Sequence, residues 1–401
     1  MHSLEERKRR GLLDVASYLG QASIYMINLA IVYYLRYSFS LSSLAIGIAA
    51  STYTVAYFIG CLALPRIVER FKSHQAVMIS IAALSLSAFG VITTRSVPLI
   101  YVLLVIYGLS MCFLWPPMEA WITHGLEGEE MKKALGGFCF SWSFGMAVSP
   151  VFTTLFASLG IAKAFWFAIA QFILMAFIVV FVALREKAPE KTARTEEEPV
   201  AEAPAPVDLR LMSRTAVFLG YAVLIALQNM FPLYAAETLG RSESWAGVML
   251  ALRGIASCLA FVYVAKVSWW QFRLRMTQGF MVLLALLCLI PMFLTGSAAI
   301  GIFFIVFGVV YVFGYEFSIF HCAVGRKDRT RAMMFHEAMI SIGSVCGALL
   351  GGSLFDMAGF KAIMTALAAA TVLILIASTA AGKILLRREN QRISTSSGLV
   401  R

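Results

Sequence analysis

The sequence predicts an all-α membrane protein with twelve transmembrane helices in two pseudo-twofold-related six-helix bundles. Three observations carry this reading. First, 60% of the 401 residues are hydrophobic, only 14% are charged, and the mean hydropathy is +0.82. Soluble proteins carry about 25% charged residues, so a surface this poor in charge needs lipid as its solvent. Second, the apolar residues fall into twelve windows near the ~20 residues that cross a bilayer. Third, the halves on either side of a long polar stretch repeat each other.

The windows are 12–35, 42–64, 75–94, 98–122, 136–158, 161–184, 213–236, 244–265, 277–295, 298–323, 333–355 and 362–385. The basic start Arg7 to Arg10 resembles the opening of a signal peptide, but the apolar run after it reaches Leu35. That is longer than a signal h-region, and it reads as an uncleaved first span. Residues 186–212 are rich in Pro, Glu, Ala and Lys and have no apolar period. They bury too little to offset ordering entropy and read as a cytoplasmic linker. The expected organisation is a bundle over 1–185, this linker, a bundle over 213–386 and a tail over 387–401.

The repeat offset is near 200. Tyr34 matches Tyr234, Gly47 matches Gly247, and Asn28 matches Gln228. Tyr107-Gly108 matches Phe307-Gly308, and Phe71-Lys72 matches Phe272-Arg273. Lys133-Ala134, Gly145 and Lys163-Ala164 match Arg331-Ala332, Gly343 and Lys361-Ala362.

Charge sets the expected orientation. The net charge is +11, from 33 Lys and Arg against 22 Asp and Glu. Of the 33, 27 fall on the side of the termini, five on the other side, and Arg253 inside a span. Basic residues near span ends stay cytoplasmic, so both termini and the linker are expected in the cytoplasm. The basic balance is then a topology signal, and no nucleic-acid partner is expected. The seven Cys all lie in apolar windows without a C-x-x-C pair, which argues against a disulfide framework or a zinc site. None of the three Asn begins a glycosylation acceptor, which fits a bacterial inner membrane.

Repeated six-span halves of equal topology mark transporters whose site lies at the repeat interface. The chain resembles the major facilitator superfamily over essentially its whole length. After the second span, Ile67-Val68-Glu69-Arg70-Phe71 resembles the family's loop motif G-x-L-a-D-R-x-G-R. Glu69 stands for its Asp and Arg70 for its Arg, while Pro65 and Lys72 replace the glycines. The resemblance implies a gating role for Glu69 and Arg70. In the eleventh span, Gly343-x-x-x-Gly347-Ala348-x-x-Gly351-Gly352 is similar to the exporter motif G-x-x-x-G-P-x-x-G-G. That motif belongs on the fifth span, where this chain has Gly145-x-x-x-Ser149-Pro150. The resemblance also implies that helices 1, 4, 7 and 10 line a central cavity.

Polar groups inside a bilayer are expensive, a charge at a helix centre by roughly 2.5–3.5 kcal/mol. Their placement therefore narrows the site. In the first span Asp14, Tyr18, Gln21, Tyr25 and Asn28 recur at helical spacing on one stripe. A stripe this polar lines a wet cavity or bonds to other helices. In the fourth span Trp115 and Glu119 share a face beside Pro116-Pro117, which should kink the helix. Glu119 reads as a group that binds a cation or carries a proton, or as a carboxylate at the headgroups. The seventh span offers Tyr221, Gln228 and Asn229, and the tenth offers Tyr311 and Tyr315 with Glu316 beside them. Rings for area and amides for orientation suit an amphipathic organic solute.

Arg253 sits mid-span and is never deprotonated. Its nearest carboxylate by depth in this half is Glu316, and the reading pairs the two. His321 and Glu337 are expected near the cytoplasmic interface, and His336-Glu337 lacks the spacing of a zinc helix, since Ile340 stands where the second His belongs. No P-loop appears, so no nucleotide cofactor is expected. The function expected is a monomeric secondary transporter working by alternating access on a small organic solute, with protons carried by Glu316, Glu119 and Asp14 and a lean toward efflux. The alternatives are an uptake symporter for a sugar or organic anion, and a non-transporting receptor or scaffold. No catalytic or metal constellation is expected, and no enzyme activity.

Overall fold

The computed structural model describes residues 2–41, 43–185 and 209–398, with no strand among them. In the first half the helices are α1 His2–Phe39, α2 Ser43–Ala63, α3 Ser73–Thr93, α4 Val97–Ile122, α5 Gly128–Leu159 and α6 Ala162–Arg185. In the second they are α7 Arg210–Glu237, α8 Glu243–Val264, α9 Leu274–Leu289, α10 Ser297–Ala323, α11 Arg329–Phe355 and α12 Met357–Ala380. Among the described residues ten helices are long and apolar enough to cross a membrane. The windows predicted at 42–64 and 136–158 coincide with α2 and α5. The linker read over 186–212 lies outside the described residues as far as 208, and residues 210–212 already belong to α7. At the far end helix continues through the expected tail to Gly398.

The outer surface is apolar: Leu86, Phe177, Leu259, Leu349 and Leu373 are each more than half exposed. Bare leucine and phenylalanine on this scale suit hydrocarbon contact. Inside, small residues set the packing, since lipid supplies no hydrophobic drive between helices and close backbone approach must hold them together.

The repeat predicted from spacing is visible atom by atom. A Cβ on Gly108 of α4 would strike the Tyr53 carbonyl of α2, and one on Gly308 of α10 would strike the Arg253 carbonyl of α8. Both contacts carry the offset of 200. Gly145 of α5 likewise lies against the Tyr18 carbonyl of α1, and Gly343 of α11 against the Phe218 carbonyl of α7. The residues one turn on repeat the pattern: Ser149 Oγ donates to the Ala22 carbonyl at 3.0 Å, and Gly347 lies against the Ala222 carbonyl. Each half therefore packs its first helix on its fifth and its second on its fourth.

Two local features bear on the site. Helix α4 breaks at residues 112–114 and restarts at Trp115, with the prolines in the first turn of the new segment. The expected kink thus becomes a restart, because the first helical turn has no use for the N–H groups that proline lacks. The α8–α9 connection holds Phe272 at φ 52, a left-handed value unusual for a bulky side chain. Its N–H donates to His321 Nε2 at 3.2 Å, while His321 Nδ1 lies 2.7 Å from the Phe317 carbonyl. His321 is 1% exposed. It clasps a loop to α10 and is not the headgroup residue expected from its place near a helix end.

Gly308→Leu should overpack the α8–α10 contact and lower stability by about 1–3 kcal/mol or prevent folding. Gly279→Ala, with no atom within 4 Å of the added carbon, should hold or raise the melting temperature. Thermal unfolding of the two purified variants checks both.

Candidate functional site

The groups singled out on α1, α7 and α10 converge where the two halves meet. Tyr18 stacks on Phe144 of α5 with ring centroids 5.7 Å apart, and Gln21 is 5% exposed. The Gln228 amide of α7 donates to the Tyr25 hydroxyl at 3.5 Å, a bond that crosses between halves. Asn28 is half-buried, and its Oδ1 has no hydrogen-bond partner. Asn229 is exposed, unlike its neighbour Gln228.

Tyr315 is the hub of an aromatic cluster. Trp142 of α5 stacks on it at 5.9 Å and 23°. Phe261 of α8 meets it edge-on at 5.7 Å, His336 of α11 at 5.1 Å, and Tyr221 of α7 tilts against it at 6.4 Å. Tyr221 also meets Tyr311 at 5.4 Å, and the hydroxyls of both lack a partner in the hydrogen-bond geometry. Five helices from both halves thus present rings and unsatisfied hydroxyls to one region. Trp142 escaped the sequence reading, although it is the one tryptophan of its span. Trp115 packs instead within the first half, edge-on to Phe138 and against Gly20.

The pair predicted between Arg253 and Glu316 does not form. Arg253 is 8% exposed, and its Nε and Nη1 have no partner. Its electrostatic neighbours include Tyr311 and Cys258. The reason is depth. Helices α8 and α10 do lie side by side, but the residue level with Arg253 is Gly308. Glu316 is eight residues further along α10, about 12 Å at 1.5 Å per residue. Its carboxyl instead reaches the Cys139 thiol of α5, across the interface.

Glu337 is also deeper than expected. It is 7% exposed, one of its carboxylate oxygens lies within 4.8 Å of one from Glu119 of α4, and Tyr57 of α2 stands beside it. Glu119 is 0% exposed, which removes the headgroup alternative. Asp14 is half-buried against Gly137 of α5, where an added Cβ would stand 2.8 Å from its Oδ2.

On the face that carries the termini the halves are clasped together. Arg329 at the start of α11 donates to the Thr123 carbonyl, to the Leu126 carbonyl at 2.8 Å and to the Glu127 carboxylate. Gly136 of α5 lies against Ala265 at the end of α8. Sequence reading used Arg329 only as a topology charge. Glu69 and Arg70, assigned to gating by resemblance, are exposed beyond the short helix Pro65–Val68 and form no ion pair among the described residues.

Outside the membrane, hydrogen bonds from Arg10 and Lys133 hold the Glu130 carboxyl below its usual range, and one from Lys132 does the same for Glu129. A depressed carboxyl contributes stability above its unfolded value and loses it only as pH falls through the folded one. These groups stay ionised between pH 6 and 8. A pH response in that window therefore originates elsewhere. Replacing Arg329 with Ala removes three hydrogen bonds to one segment. Amide exchange across residues 119–130 should quicken about 10- to 100-fold, since hydrogen bonds to a charged group contribute about 1.5–3 kcal/mol.

Comparison with known proteins follows the geometry. The family model described as Major Facilitator Superfamily matches residues 15–323. Multidrug resistance protein 1 of Bacillus subtilis (strain 168) is 22% identical over 330 residues, 79% of this chain and 82% of the relative. Multidrug resistance protein 2 of the same organism is 22% identical over 335 residues, 79% and 81%. Among solved structures, the human organic anion transporter MFSD10 (TETRAN) superposes with a TM-score of 0.68 at 14% identity, covering 92% of this chain and 99% of that one. A bacterial homologue of the iron transporter ferroportin in an outward-facing state gives 0.69 at 12% identity, covering 92% and 98%. With the model spanning most of the chain and the same helical frame recurring in these structures, this multi-pass membrane protein belongs to the major facilitator superfamily.

Proposed function

We propose that the chain exports small amphipathic organic molecules in exchange for protons, by alternating access about the interface between its halves. The observation that carries this reading is the aromatic cluster around Tyr315, built from both halves by the Trp142 stack. Rings offer large, sequence-tolerant contact area, and Gln21, Gln228 and the tyrosine hydroxyls orient a solute of mixed polarity. The names of the two bacillary relatives support the direction and the breadth of substrate. The charge bias of 27 to five supports a cytoplasmic position for the clasped face. The conformer is then closed to the cytoplasm, as it would be while releasing cargo outward. Glu316 and Asp14 carry the coupling protons, since each is a carboxyl without a salt-bridge partner among the described residues.

Arg253 favours a second reading on one point. A buried guanidinium with unsatisfied Nε and Nη1 beside Tyr311 suits an anionic group on the solute. That solute would be an organic anion, moved in either direction.

Proteoliposomes given a pH gradient and either a cationic or an anionic aromatic dye separate these readings. The expected result is gradient-driven movement of the cationic dye. Tyr315→Ala should weaken its half-saturation by about 2- to 10-fold, the range of one aromatic contact of about 0.5–1.5 kcal/mol. Glu316→Gln should lose the response to the gradient yet keep dye-for-dye exchange. Movement of the anionic dye alone, abolished by Arg253→Gln, would install the second reading. If neither dye moves above protein-free vesicles, export of aromatic solutes is wrong.

A further inference from the structure

We propose that Glu119, His336 and Glu337 form a binding site for one divalent transition-metal ion, with ligands drawn from both halves. The site borders the aromatic cluster, sharing His336, whose ring meets Tyr315 at 5.1 Å, and goes beyond the export reading. Glu119 comes from the restarted segment of α4, and the other two from α11. One ligand atom from each lies within 4.8 Å of the others, and the three residues are 0%, 0% and 7% exposed.

The donors are left waiting. Neither Glu119 oxygen receives a hydrogen bond from an amide, hydroxyl or cationic group, and His336 Nε2 has no partner. What approaches Glu119 is the Glu337 carboxyl, another acceptor unless protonated. No Lys or Arg makes a salt bridge to either acid among the described residues. Two carboxylates at one dry point need compensating charge. A divalent cation supplies it for both at once.

The surroundings resemble the outer shell of a metal site. Ser318 Oγ lies 2.7 Å from His336 Nδ1. With Nδ1–H donating to Ser318, Nε2 keeps its lone pair for a metal. Tyr57 of α2 lies beside Glu337, and its hydroxyl is also without a hydrogen-bond partner. Other groups near the site include Cys322 of α10 and Cys139 of α5 near Glu119, Cys61 of α2 near Glu337, and Tyr315 of α10 and Arg214 of α7 near His336. Arg214, whose guanidinium stands 5.4 Å from the centroid of the Phe335 ring, is a positive neighbour of His336 and makes no salt bridge to either acid among the described residues.

One imidazole and two carboxylates suit manganese, iron, cobalt or zinc, whereas calcium and magnesium favour oxygen alone. Bonds of about 2.1 Å set tetrahedral ligands about 3.4 Å apart, a spacing that ligand atoms within 4.8 Å of one another reach by small side-chain shifts. Because its ligands span α4 and α11, the ion would favour this conformer over one in which those helices had parted.

The test uses the full chain, purified in detergent without a polyhistidine tag, titrated with Co2+ and Mn2+ and with Mg2+ as the contrast. The expected result is saturable one-to-one Co2+ binding with a visible absorption band. The melting temperature should climb with Co2+ and Mn2+ and stay put with Mg2+. Glu119→Gln and His336→Gln should each weaken binding at least tenfold. Ser318→Ala, which leaves all three ligands in place, should weaken it by roughly 10- to 100-fold. If a ligand variant fails to fold, the wild-type absorption band and the Ser318→Ala shift still decide. Overturning results are no saturable binding by the wild type, or binding unchanged in the folded variants, which would assign the metal to surface acids. A melting temperature that follows pH but ignores Co2+ would mean that the two acids share protons only.

Discussion

A polar side chain inside a bilayer can place its hydrogen bonds only on another part of the protein or in a wet cavity. Everything particular to this chain follows from that constraint. It keeps the outer surface rich in leucine, isoleucine, valine and phenylalanine, and it turns Gln21, Glu119, Arg253, Glu316 and Glu337 inward. It also explains why so many polar contacts bridge the halves. Tyr25 meets Gln228, Cys139 meets Glu316, Tyr57 meets Glu337, and Arg329 holds the α4–α5 turn. In the alternating access proposed here these surfaces part and must tolerate water, so they can hold polar groups that a permanent helix contact would exclude.

The permanent contacts show the opposite chemistry. Within each half, glycines press against carbonyls at Gly108, Gly145, Gly308 and Gly343. A missing Cβ at these points brings backbones close enough for dispersion to replace a hydrophobic drive that lipid does not provide. The halves are therefore rigid inside and polar between, a division suited to two bodies that rock as units.

Helix positions and the repeat were legible in the sequence because both are one-dimensional. Span length depends on composition, and the offset that matched Gly108 to Gly308 is the one at which each meets its carbonyl. Contacts across the interface were not legible, because they depend on depth and rotation. Arg253 and Glu316 share a half and a helix pair, yet about two turns separate their levels. Glu337 was read as a headgroup residue from its place early in α11, but the clasp at Arg329 buries that end of the helix against α4. Trp142 lay in a span read only for its glycines. The proline restart in α4 was half legible: Pro116 and Pro117 announced a break, but not that the break would seat Glu119 at the interface.

The repeat has a further consequence. The contacts that align the halves at an offset of 200 also align their polar positions. Tyr53 and Arg253 occupy matching places above Gly108 and Gly308. By the same offset Asp14 of α1 corresponds to Arg214 of α7, and Glu119 to Ile319. Backbone geometry is repeated while charge is not. A symmetric frame gives two conformers related by exchanging the roles of the halves, and on its own it would treat them alike. Acids on α1 and α4 in one half, against cations on α7 and α8 and the acids Glu316 and Glu337 on α10 and α11 in the other, make the field of the two halves unequal at the same central point. That inequality allows a bound proton, cation or solute to favour one state, since a ligand shifts an equilibrium only by its differential affinity for the two.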